Sequence, residues 1–92
     1  MSRLPSTGAS LRSVADTATE TFVVRSVADK FKITVAGTGT GTVQPVLQNG
    51  SETHQAYTVS DDTIVLDIPN LKSIKITASG GAIEAQIFGY QD

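Results

Sequence analysis

Ser51, Glu52 and His54 are the residue types from which a hydrolase assembles a nucleophile, an acid and a base. Their spacing denies that chemistry. Neighbours along an extended chain point to opposite faces, so residues this close cannot converge on one reacting atom. There is also no G-x-S-x-G turn to lift a serine clear of a sheet. His54 is the single histidine and there are no cysteines, so neither a multi-histidine nor a thiolate metal site can be built from one copy. Asp61, Asp62 and Asp67 offer carboxylates to calcium, which takes roughly six to eight oxygens and a tighter loop spacing. Turn capping suits these aspartates better. No cofactor is expected.

Gly37, Gly39 and Gly41 invite comparison with a phosphate-cradling loop. Such loops run from a strand into the N-terminus of a helix. Here a second strand pattern follows, so the glycines predict a hairpin. Asn49-Gly50-Ser51 matches an N-glycosylation acceptor, which needs a secretory route. The same residues are a hairpin signal, because Asn and Gly tolerate the positive φ of a type I′ turn. The aromatics Tyr57, Phe88 and Tyr90 remain as candidates for stacking on a sugar or contacting a partner.

The elements that carry these residues follow a period of two. In 29–36 the apolar positions are Phe31, Ile33 and Val35; in 62–68 they are Ile64, Leu66 and Ile68. In 71–78 they are Ile74, Ile76 and Ala78, and in 82–90 Ile83, Ala85 and Ile87. Each run has a polar opposite face, as half-buried antiparallel strands do. Three more strands are expected at 20–26, 42–48 and 53–59. Pro45 cannot donate to a ladder, which predicts an edge or a bulge for the second of these. The fold class is therefore all-β: an antiparallel sandwich of about seven strands, jelly-roll-like or Ig-like, over 19–92. Phe88 and Tyr90 fall on the outer side of the last strand, opposite Ile83, Ala85 and Ile87. An aromatic pair there asks for cover, from the N-terminal strand or from a neighbouring subunit.

Residues 1–18 are rich in Ser, Thr, Ala and Gly. They predict an extended, flexible N-terminal arm that orders on a partner through Arg3, Leu4, Leu11, Arg12 and Val14. Removing the arm should then abolish attachment and leave the fold. The 92 residues carry no disulfide and make one domain of modest stability. Residues 1–32 hold five Lys and Arg against three Asp and Glu, a net of +2; residues 33–92 hold two against six, a net of −4. This is too thin for a nucleic-acid footprint. It suits docking of the front of the chain on an acidic protein surface. No apolar run reaches the roughly 18 residues of a membrane helix, and no apolar stretch follows Arg3 as in a secretory signal. The expectation is a soluble, non-exported protein.

The segments TVQPVLQNGSETH and TIVLDIPNLKSIKITASGGAIEAQIFGY, spanning 42–90, resemble the small β proteins of tailed-phage virions. The likeness lies in Thr/Ser-rich outer faces, few charges, Gly-Gly turns and the N-terminal segment. It implies a non-enzymatic virion structural protein: a capsid decoration (cement) protein or a head or tail adaptor. It further implies a homo-oligomer, a trimer first, attached to a major capsid or other virion protein and made in the host cytoplasm. The rival reading is a carbohydrate-binding module with Tyr57, Phe88 or Tyr90 as its platform. A small hydrolase ranks third, for want of a nucleophile–base pair.

Overall fold

The computed structural model describes residues 5–24, 29–52, 55–69 and 71–90. Arg3, Leu4 and His54 lie outside the described residues. Eight strands follow one another: β1 (Pro5–Val14), β2 (Thr19–Val23), β3 (Lys30–Gly37), β4 (Thr40–Leu47), β5 (Tyr57–Val59), β6 (Asp62–Leu66), β7 (Leu71–Ser79) and β8 (Ile83–Tyr90). They form two antiparallel four-stranded sheets, in the orders β1-β8-β3-β6 and β2-β7-β4-β5. The chain crosses between the sheets at almost every connection, and each long crossover brings a late strand beside an early one. This interleaving is that of an eight-stranded jelly roll and not of the Ig sandwich, which has a different strand order.

The alternation read from the sequence is the alternation of burial. Phe31, Ile33 and Val35 of β3 and Ile83, Ala85 and Ile87 of β8 are fully buried and face Ile74, Ile76 and Ala78 of β7. Leu66 is buried, while Ile64 and Ile68 pack half-buried against the same core. Each fully buried Ile, Leu or Val stabilises the sandwich by about 1.5–3 kcal/mol relative to an exposed position.

Two expectations are corrected. First, Pro5–Val14 is extended but is not a separate arm: it is β1, paired with β8 from Pro5↔Tyr90 to Val14↔Ile83, with one irregularity between Pro5 and Gly8. The sandwich therefore does not begin at residue 19. The segment looked unfoldable because it brings little apolar side chain. Of its described side chains only Val14 reaches the core, at 0% exposure. What holds it is the main-chain ladder offered by β8, which composition does not register.

Second, β4 is an interior strand between β7 and β5, not an edge. Pro45 is nevertheless placed where a missing donor matters least. It pairs with Ile74 of β7, but β5 pairs only as far as Val43, and the β7 register shifts between Val46 and Leu47. Of the edge or bulge expected for Pro45, the edge is not found, and the irregularity of register lies next to it, between Val46 and Leu47. The turn at 48–50 also differs. Gly50 donates to the Leu47 carbonyl at 2.9 Å, and Leu47 donates to the Ser51 carbonyl at 2.8 Å. Only Gly50 of the Asn49–Gly50 pair has positive φ, at 89°. That is a three-residue hairpin loop with a left-handed glycine at its end, not a type I′ turn.

Candidate functional site

The first sheet turns one face to the core and the other outward. Outward residues line up in rows across its strands. One row runs Leu11, Gln86, Thr34 and Thr63; the next brings Phe88, Lys32 and Val65 together; the third pairs Tyr90 with Lys30. Directly opposed side chains on such rows sit about 4.5–5.5 Å apart at Cβ and interact. Leu11 is 65% exposed and Val65 55%; they lie on the two edge strands of the face whose middle carries the half-buried rings of Phe88 and Tyr90, with Lys32 between Phe88 and Val65. The ring centroids of Phe88 and Tyr90 are 5.7 Å apart with planes tilted by 33°. Basic residues are set among these side chains: Lys32 is exposed between Phe88 and Val65, and the Lys30 ammonium lies 3.1 Å from the Asp67 carboxylate. Thr34 and Thr63 hydroxyls hydrogen-bond at 2.9 Å. The result is an open stripe of apolar and aromatic side chains crossed by a lysine, presented on one face of the sheet.

The outer face of the second sheet is different in kind. Thr19, Thr77, Thr42 and Thr58 form a row across all four strands, with Thr19 and Thr77 hydroxyls 2.7 Å apart. Beside it Lys75 pairs with Glu52 at 3.3 Å, and Gln48 donates to the Leu71 carbonyl at 3.1 Å. Part of the β4–β5 connection is thereby tied to β7. Ser73, on the polar side of the alternation in β7, is only 7% exposed.

The eight candidate residues separate by position. Phe88, Tyr90 and Leu11 meet on the outward stripe of the first sheet. Val14 is in the core. Arg12 lies at the open side of the sandwich, its guanidinium 5.7 Å from the centroid of the Phe22 ring on β2. Such a contact is worth about 0.5–1 kcal/mol at an exposed site. Tyr57 points the other way from a stacking platform: it is half-buried against the core. Arg3 and Leu4 lie outside the described residues. Val65 and Lys32 were read only as parts of strands, yet they complete the stripe. Strand register carries that information, and no local pattern does.

The other motifs resolve into turn chemistry. Asp61 accepts from the Gly37 backbone N–H at 3.2 Å and Asp62 from that of Thr63 at 2.7 Å. Asp67 lies beyond the far end of β6, about 16 Å along the strand from Asp62 at 3.3 Å per residue, and pairs with Lys30. Among the described residues no group of His, Asp and Glu gathers as for a metal ion. Gly39 and Gly81 sit where the β3–β4 and β7–β8 turns touch. A Cβ on Gly39 would collide with the Gly81 carbonyl, and Gly39 N–H donates to the Ala82 carbonyl at 3.2 Å. Beside these turns lies an open depression of about 600 Å³, lined by Ser13, Val14, Ala36, Thr38 and Glu84 among others.

Together the fold and this face define an eight-stranded jelly-roll protein with an outward apolar and aromatic stripe. No protein-family model matches the chain, and no curated protein sequence does. Solved structures do share the fold. The SPBc2 prophage-derived protein YomS superposes with a TM-score of 0.60 at 16% identity, over 90% of this chain and 95% of that one. Fatty-acid-bound ToxT from Vibrio cholerae strain SCE256 gives 0.57 at 12% identity, over 98% of this chain and 30% of its own. The capsular polysaccharide assembling protein CapF from Staphylococcus aureus gives 0.55 at 20%, over 97% and 26%. The fold thus stands nearly alone in the first and as one part of a longer chain in the other two. At these identities the likeness is one of fold, and a fold hosts many functions.

Proposed function

We propose that the chain is a non-enzymatic virion structural protein of a tailed phage, most specifically a capsid decoration protein. In this reading it forms a homo-oligomer, a trimer in the first instance, and attaches to a major capsid or other virion protein. The observation that carries the reading is the outward stripe of the first sheet. Leu11 and Val65, on its two edge strands, are more than half exposed on the same face as the Phe88–Tyr90 pair. Exposed apolar side chains gathered with aromatic rings on one sheet face are the usual mark of a protein-contact site. The prophage-derived neighbour, matched over nearly its whole length, supports the phage context. Several weak copies joined in one oligomer would attach far more tightly than one.

The test is co-sedimentation with phage heads stripped of accessory proteins. The expected result is saturable binding by the wild-type chain and at least a tenfold loss for Leu11→Glu with Val65→Glu. No association with any head or tail fraction would overturn the reading. A carbohydrate-binding module is the second reading, favoured by the paired rings of Phe88 and Tyr90. Binding in a glycan array that is lost in Tyr90→Ala would put it first.

A further inference from the structure

β1 is joined to β2 by residues 15–18, a connection that carries the chain from the edge of one sheet to the edge of the other. Thr17 within it has φ = 67°. A β-branched residue is a genuine outlier there, disfavoured roughly tenfold against an extended conformation. The strained turn is closed by Ala18 N–H donating to the Ala15 carbonyl at 2.9 Å, and Thr17 N–H donates to Ala78 at 3.0 Å. Short hinges under strain favour exchange of the element they carry.

What β1 holds on to is equally transferable. Its ladder to β8 is main-chain bonding, its Val14 fills the core, and its Arg12 lies over Phe22. Another copy of the chain presents the same β8 edge, the same core and the same ring. With β1 withdrawn, β8 would show a bare row of donors and acceptors above Ile83, Ala85 and Ile87, a template for an incoming strand.

We propose that β1 exchanges between copies, so that the β1 of one chain completes the first sheet of another through a hinge at residues 15–17. Exchange keeps the β1–β8 ladder and the Val14 and Arg12 contacts, gives up the hinge's own bonds to Ala78 and Ala15, and lets Thr17 relax in each partner, which is the low-cost route to a symmetric assembly. This deepens the homo-oligomeric part of the reading above and rests on it, whereas attachment to a virion does not depend on it.

The experiment uses two single-cysteine variants of the full chain, Leu11→Cys and Gln86→Cys, at positions opposed in the β1–β8 ladder. The native chain has no cysteine, so any disulfide between these two variants joins two copies. The variants are mixed, taken briefly through mild denaturant, returned to native buffer, oxidised and weighed by mass spectrometry. The expected result is a Leu11→Cys to Gln86→Cys link well above that between Val65→Cys and Gln86→Cys, which face the same way on strands that do not adjoin. Thr17→Gly, which removes the strain at two hinges, should raise the dissociation constant of an exchanged dimer about a hundredfold in native mass measurements. A Leu11–Gln86 link no stronger than the Val65 control overturns the proposal, as does a dissociation constant that Thr17→Gly leaves unchanged. Failure of the virion reading would appear separately, as absence of co-sedimentation.

Discussion

A single methyl group distinguishes the glycines that matter from those that do not. At Gly39 an added Cβ meets the main chain of the neighbouring turn, which has no rotamer to escape into. At Gly50 the space is open and only the positive φ of 89° opposes a side chain. Gly39→Ala should therefore cost at least about 2–3 kcal/mol by overpacking, and Gly50→Ala about 1–2 kcal/mol by backbone strain. Urea denaturation of the two variants checks the order. The aromatics divide in the same way. Phe31 has 0% exposure, so Phe31→Ala should cost about 3–5 kcal/mol through the cavity it leaves. Phe88 lies half-buried on the outer face, and Phe88→Ala should cost about 1 kcal/mol or less. Equal destabilisation by the two would contradict their placement on opposite faces. The side on which each phenylalanine lies was legible from the parity of its strand. The meeting of Gly39 with Gly81 was not, because it joins residues 42 positions apart through the packing of two turns.

At the level of elements, the runs with strong alternation became β3, β6, β7 and β8, since one face of each had to be buried. β1 was illegible for a physical reason. An edge strand needs partners for its backbone more than it needs apolar side chains, and the sequence records side chains. Its consequence reverses the expectation for the N-terminal segment. Deleting residues 1–18 removes Val14 from the core and uncovers the β8 edge. The truncated chain should lose its cooperative thermal transition and aggregate, which calorimetry and light scattering would show. A truncated chain that melts as sharply as the full one would mean that β1 adds nothing to the sandwich. Val14→Ala, a milder form of the same change, should cost about 2 kcal/mol and keep the fold.

For the whole molecule, the two outer faces set the behaviour. The threonine row of the second sheet is polar, with the Thr19 and Thr77 hydroxyls hydrogen-bonded, and substitutions there should leave attachment to phage heads untouched. Leu11→Glu with Val65→Glu on the first sheet should reduce attachment to phage heads at least tenfold, while shifting the melting temperature by only a few degrees. Co-sedimentation beside a thermal melt separates these quantities. A large loss of stability would show instead that the stripe belongs to the core.

By itself the sequence determined the class of the fold and the inward and outward sides of the four strongest strands. All of these follow from spacings of a few residues, over which the geometry of an extended chain leaves no choice. Only the tertiary structure decided the jelly-roll strand order, the place of the first strand, and the gathering of Leu11, Phe88, Tyr90 and Val65 on one face. Those depend on which strand lies beside which. That choice is made by long crossovers and main-chain ladders between residues distant in sequence, and it leaves no local pattern to read.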